Sequence, residues 1–161
     1  MSNLLDQSVV SFCKATAAKQ STPGGGSVAG VAGALATALG EMSLSYSRGK
    51  KSFSAQNALQ EELAERLSAL REQFLKLVTE DIEAFGAYQT ATEMPEGPDR
   101  DEAQSSALAA SIEIPRTMAR LTLSLLSNLE SLATCCTKWL LSDLLAAASL
   151  ASATCDLCDF N

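Results

Sequence analysis

Thr22-Pro23-Gly24-Gly25-Gly26-Ser27 runs without a break into the small-residue stretch Val28 to Gly40, and ordinary packing does not explain that composition. Pro23 fixes its own φ, the three glycines open backbone conformations closed to other residues, and Ser27 is placed to cap a helix that begins there. The expected product is a row of bare backbone N–H groups at a helix N-terminus. Partial positive charge collects at such an end, so an anion or a developing oxyanion can be held there.

Two faces are expected on the helix that follows. Gly26, Gly30, Gly33, Thr37 and Gly40 recur at three- and four-residue spacing as a smooth stripe, while Val28, Val31, Leu35, Leu39, Met42 and Tyr46 form an apolar stripe roughly opposite. A glycine costs about 1 kcal/mol in a helix interior relative to alanine, so several of them imply that close backbone approach gives something back. That return is either tight packing alone or room for a ligand. No charge lies between Lys19 and Glu41, but the interruptions from Gln20 to Gly26 leave too short an apolar run to cross a bilayer, and a buried helix is expected.

The chain of 161 residues suits one domain, residues 1–161, with enough length to bury a core. Hydrophobic residues make up 47% but aromatics only 5%, the balance of packed Ala/Leu helices. A net charge of -7 and a pI near 4.6 leave no broad basic face for nucleic acid. The absence of histidine excludes Ser-His-Asp and Cys-His pairs and His-ligated metal, so proton transfer falls to carboxylates, lysines, tyrosines or cysteines. The odd set Cys13, Cys135, Cys136, Cys155 and Cys158 fits free thiols in a reducing cytoplasm. A four-thiolate metal site could be drawn from the last four, but Cys-x-x-Cys in an apolar helical run is more often buried thiols, and no metal is expected.

The remaining chain reads as helices. Leu4 to Lys19 is a short first one, with Leu5, Val9, Val10 and Phe12 inward. Ser54 to Thr92 is a long one with Leu59, Leu63, Leu67, Leu70, Phe74, Leu77, Phe85 and Tyr88 on one stripe. Asp81 stands on that stripe where an apolar residue belongs. Its carboxylate is either satisfied by a neighbouring Ser, Thr or Lys, or turned to the edge and water, or is a group kept for acid–base work. Arg48, Lys50 and Lys51 sit between the two helices, as a solvated helix end or as a clamp for anionic groups. Met94 to Asp99 is a turn-rich linker. A fourth helix from about Asp101 to Cys136 should kink or restart at Pro115, and a last one from about Leu144 to Cys158 is capped by Ser142, with Asp143 favouring its positive end.

Thr22 to Ser27, the small-residue helix and Ser47-Arg48-Gly49-Lys50-Lys51-Ser52-Phe53 together resemble the formiminotransferase-cyclodeaminase family, in its cyclodeaminase and methenyltetrahydrofolate cyclohydrolase domain. Val78 to Phe85 resembles the family's Asp-x-x-Ala-Phe segment, Pro115 to Leu121 its valine/isoleucine-proline element, and Ser142-Asp143 its Ser-Asp pair. Phe160-Asn161 is similar to the start of its closing Asn-Val-x-x-Asn element, beyond which family members continue for about another helix pair. The Asn-Pro-like sequence expected before Ser142 is replaced by Thr137-Lys138-Trp139.

The resemblance implies an all-α bundle of five or six helices, and the number of Leu/Ala stripes suggests a homodimer through the long helices. It implies conversion of 5-formiminotetrahydrofolate to 5,10-methenyltetrahydrofolate with loss of ammonia, or hydrolysis of the methenyl compound, with a tetrahydrofolate derivative as substrate and no cofactor. Asp81 would be the acid–base group and Asp143 a weaker second candidate. Pro23, Gly24, Gly25, Gly26 and Ser27 would hold ligand oxygens, and Arg48, Lys50 and Lys51 the glutamate tail. Two other functions fit the same residues: another cyclisation or imine chemistry, and a non-catalytic helical interaction module.

Overall fold

Glycines spaced along one side of a helix let a neighbour sit directly on its backbone. The computed structural model, which describes residues 4–161, is organised around that contact. Helix α1 (Val9–Ala17) leads to the central helix α2 (Gly25–Ser45), which is followed by α3 (Asn57–Thr92), α4 (Pro98–Ala133) and α5 (Leu141–Asp159). Short 3-10 turns precede α1, α3 and α5 at Leu4–Asp6, Lys51–Gln56 and Lys138–Leu140. No strand occurs among the described residues, so the bundle is all-α with five helices.

Helix α2 packs against α3, α4 and α5. A Cβ at Gly30 would meet Val78 Cγ2 at 2.5 Å, one at Gly33 would meet Phe74 Cε1 at 2.5 Å, and one at Gly40 would meet Leu129 Cδ2 at 2.8 Å. These separations leave no room for a side chain, and the space the glycines give up is filled by the fully buried Phe74 and Val78. The return on the helical cost of glycine is therefore interior packing. Leu44, Leu63, Leu67, Met118, Leu125 and Leu132 complete the core around the same axis.

The chain order of these pairs shows α3 and α5 running antiparallel to α2 and α4 running parallel to it. At the C-terminal end of α2, Ser47 Oγ accepts from the Thr137 N–H at 2.9 Å and donates to the Ser43 carbonyl at 2.7 Å, tying α2 to the turn before α5. Helices α3 and α4 are each 36 residues against 21 for α2, or about 54 Å against about 31 Å at 1.5 Å per residue. Their joined ends therefore project past the core as a two-helix arm, with Ala84, Ala91 and Ala107 buried and the turn Glu93–Gly97 at its tip.

Several expectations change. Helix α1 is shorter than Leu4–Lys19 and buries no residue, with Val9 79% and Val10 63% exposed. Pro115 does not restart α4, which is continuous through it. The buried Ile114, Pro115 and Met118 offset the lost hydrogen bond, a penalty of about 3 kcal/mol in an open helix. Ser142 lies inside α5 rather than capping it, because the helix starts at Leu141 and Leu140 is its N-cap. Phe85 and Tyr88 leave the core stripe and are partly exposed, being at the root of the arm beyond α2. By length and composition, α2 and the segment Lys138–Asp159 would each suffice to cross a membrane, so the expectation of too short an apolar run is corrected. The position of α2 among three other helices is that of a core helix.

Candidate active site

The first helical N–H groups of α2 have no intrahelical acceptor. Gly24 stands at the N-cap in an extended conformation and has no side chain to cap them, and the helix closes its first bond only at Val28 N–H to the Gly24 carbonyl, 3.0 Å. The donors of Gly25, Gly26 and Ser27 are thus left at the positive end of the helix dipole. Thr22–Pro23 is a cis peptide, and Pro23 is buried beneath the turn.

Asp81 on α3 meets this end. The position of a Cβ on Gly26 would lie 2.2 Å from Asp81 Oδ1, so only glycine admits the carboxylate there. Ser27, expected as the cap, is instead in the first turn and fully buried, and its hydroxyl donates to Asp81 Oδ2 at 2.8 Å. One carboxylate oxygen is thereby fixed by a buried hydroxyl while the group as a whole is only half-buried. The break in the α3 stripe is the point where α2 stops covering α3 and a cleft opens.

That cleft has a volume near 180 Å³ and is lined by Ser21, Thr22, Gly24, Gly25, Gly26, Asp81, Phe85 and Asn161. Asn161, which no reading of the sequence placed in a site, comes from the end of α5. Its Nδ2 donates to the Leu157 carbonyl at 2.7 Å, and its amide would lie within 2.8 Å of a Cβ on Gly25. The signal available for it was the antiparallel order of α2 and α5, which a sequence alone does not display. Ser21 Oγ donates to Gln89 Oε1 at 3.2 Å and holds the incoming loop against α3.

Ser27→Ala is expected to keep the fold but to free the Asp81 carboxylate to rotate. A hydrogen bond to a charged group contributes about 1.5–3 kcal/mol, so turnover should fall on the order of ten- to a hundredfold. Steady-state kcat with circular dichroism of the same sample checks it, and an unchanged kcat would remove Ser27 from the site.

Of the other candidates, Arg48, Lys50, Lys51 and Asp143 are not brought to this cleft within the chain. They occupy the opposite end of the bundle, one α2 length away, because α2 carries Arg48–Lys51 past its C-terminus and α5 begins there. Arg48 is paired with Glu61, an exposed contact whose hydrogen bond holds the Arg48 pKa above its ordinary value and the Glu61 carboxyl below its own. A larger groove of 490 Å³ between α3 and α4 has Glu80, Glu83 and Glu113 over Leu77, Ala84 and Ile114. Glu80 is bridged to Lys76 and Glu113 to Arg120, and the groove has none of the orphan backbone donors of the smaller cleft.

The cysteines do not converge. Cys135 and Cys136 lie before α5 and Cys158 near its far end, and no metal-holding group of His, Cys, Asp or Glu occurs among the described residues. Burial pushes the Cys135 thiol up and, with Cys155 adding to it, the Cys158 thiol up to about 11, which keeps both protonated. Iodoacetamide at pH 8 should therefore label exposed Cys13 in the folded protein and reach Cys135, Cys136 and Cys158 only after denaturation. Peptide mass spectrometry reads the order, and rapid labelling of Cys158 in the native state would contradict its burial.

A carboxylate held by a buried hydroxyl at a glycine-built helix end, beside a small open cleft, defines a helical bundle suited to proton transfer on a bound ligand. A sequence model described as Formiminotransferase-cyclodeaminase matches residues 8–161, and the chain belongs to that family. It is 32% identical over 151 residues to the formimidoyltransferase-cyclodeaminase of Rattus norvegicus, covering 91% of this chain and 28% of that protein. It is 29% identical over 102 residues to the methenyltetrahydrofolate cyclohydrolase of Methylorubrum extorquens, covering 63% of this chain and 49% of that one. The crystal structure of formiminotetrahydrofolate cyclodeaminase from Thermotoga maritima superposes with a TM-score of 0.90 at 31% identity, covering 98% of this chain and 77% of the other. The chain thus spans from about a quarter to about a half of these two curated relatives.

Proposed function

We propose that this chain is a folate one-carbon enzyme, acting as a formiminotetrahydrofolate cyclodeaminase or a methenyltetrahydrofolate cyclohydrolase. The observation that carries the reading is Asp81 seated on Gly26 and held by Ser27 beside unpaired backbone donors. Both reactions pass through a tetrahedral carbon between two nitrogens. In the deaminase direction, N10 attacks the formimino carbon, Asp81 takes the N10 proton, and the same carboxyl returns it to the departing ammonia. In the hydrolase direction, Asp81 takes a proton from the attacking water and one ring nitrogen leaves protonated. The carboxylate also faces the cationic methenyl carbon, and the Gly25, Gly26 and Ser27 N–H groups are donors for a ligand oxygen. Proton transfer suffices for either step, so the proposal includes no cofactor. Lys50 and Lys51 are the cations proposed for the glutamate tail, and Asp143 has no role at the Asp81 cleft of its own chain. The five free cysteines support a cytoplasmic setting, and α2 is read as a core helix rather than a membrane span.

The test is direct. Purified chain is given 5-formiminotetrahydrofolate, with ammonia release followed, and 5,10-methenyltetrahydrofolate, with loss of the methenyl chromophore followed. Turnover of either compound and a folate-dependent rise in melting temperature support the reading. No turnover and no shift at saturating folate would favour another imine chemistry or a scaffold role.

A further inference from the structure

Helix α3 keeps its apolar periodicity after its cover ends. Phe74 and Val78 are fully buried against α2, and beyond Asp81 the same face continues with Phe85 and Tyr88, 38% and 36% exposed. The arm does not need these two rings for its own packing, because its seam is made by the buried Ala84, Ala91 and Ala107. Asp81, Phe85 and Tyr88 follow one another at four- and three-residue spacing and share one side of α3. At 1.5 Å per residue the rings are rooted about 6 Å and about 10 Å along the axis from the carboxylate. Phe85 is an aromatic side chain in the wall of the Asp81 cleft. Tyr88 is rooted one turn further out, and its hydroxyl joins no hydrogen bond among the described residues.

The size of the cleft gives these rings a use. At 180 Å³ it is smaller than the about 300 Å³ at which small-molecule sites begin, so a ligand with two ring systems that reaches Asp81 lies partly outside it. The incoming loop bounds one flank of Phe85, since Ser21 Oγ donates to Gln89 Oε1 there, and Tyr88 stands on the other flank. The way out of the cleft therefore passes over the Phe85 ring toward Tyr88. A flat ring with polar atoms at its edge suits that surface. It stacks on one aromatic face while the neighbouring phenol donates to an edge oxygen or nitrogen.

We infer that Phe85 and Tyr88 form the platform for the flat pyrimidinone ring of a pterin, which stacks on Phe85 and accepts a hydrogen bond from Tyr88 while the reacting carbon faces Asp81. This assignment rests on the folate reading given above and adds the residues that select the pterin.

Equilibrium binding to the full chain tests it with two probes. One is 5-formyltetrahydrofolate, which has oxygen in place of the formimino nitrogen, and the other is p-aminobenzoylglutamate, which lacks the pterin. Phe85→Leu should raise the Kd of 5-formyltetrahydrofolate about three- to tenfold, because leucine keeps apolar area but has no ring face. Tyr88→Phe should raise it about two- to tenfold, the effect of one hydrogen bond. Phe85→Trp should retain wild-type affinity, and the emission it adds to that of Trp139 should be quenched as 5-formyltetrahydrofolate binds. p-Aminobenzoylglutamate should bind weakly or not at all, and to wild type and Phe85→Leu alike. Melting temperatures of the ligand-free variants should match wild type. An unchanged Kd for 5-formyltetrahydrofolate in Phe85→Leu, or an equal rise for both probes, would overturn the platform and leave the folate reading in place. No binding of either probe by wild type would remove the folate reading and the platform with it. Asp81→Asn should show the same dependence on Phe85, so a failure of Asp81 as proton carrier, read in turnover, leaves the Kd comparison intact.

Discussion

Asp81→Asn should lose about a hundred- to ten-thousandfold in turnover of the folate substrate while folding as well as the parent chain. The amide is the same size as the carboxylate, so it fits against Gly26, and its oxygen still accepts from Ser27 Oγ across the 2.8 Å separation. What it cannot do is take a proton from N10 or water and hand it on. The stability change should be small, since the charge lost from the α2 N-terminus is worth about 0.3–1 kcal/mol. Loss of the methenyl chromophore with time, beside a thermal melt of the same sample, separates the two effects. Wild-type turnover in a folded Asp81→Asn protein would remove Asp81 as the proton carrier and move the chemistry to another group.

The second large effect is on stability and turns on a sign. In an open helix, glycine to alanine is stabilising by about 1 kcal/mol. Gly86 on α3 has nothing within 4 Å of the added carbon, so Gly86→Ala should show that gain. Gly33→Ala should do the opposite, because the methyl group would lie 2.5 Å from the Phe74 ring, which is fully buried and has nowhere to go. Overpacking of this kind costs about 1–3 kcal/mol. In a domain of this size that is a fall of roughly 2–12 °C in melting temperature, against a rise of a few degrees for Gly86→Ala. Urea denaturation of the two variants side by side gives the comparison, and a stabilised Gly33→Ala would mean that α2 and α3 are not in contact as described.

How far the sequence could be read follows the same contact. The glycine stripe announced a close helix approach, and the misplaced Asp81 announced an irregularity on α3, because both are periodic signals carried by one helix alone. Their meeting was legible only as a conjunction. That Ser27 would serve Asp81 rather than the helix end depended on a register between α2 and α3 that Phe74 and Val78 set by filling the spaces at Gly33 and Gly30. Asn161 was invisible for the same reason, since it reaches Gly25 through the direction of α5. The misplacement of Val9 and Val10 has a different origin. Apolar periodicity says that a face wants cover, not whether its own chain supplies it. Pro115 did not end the helix, because intrinsic preference yields where burial of the proline with Ile114 and Met118 outweighs one missing hydrogen bond.

The overhang of α3 and α4 leaves the turn at Glu93–Gly97 remote from both the glycine seam and the cleft. Changes there are mechanically isolated: a protease nick or a grafted peptide at that hairpin would be felt by the alanine-lined pair beneath it and hardly at all by the bundle. The molecule therefore carries a ready handle for a reporter or a tether, away from the chemistry and outside its packing.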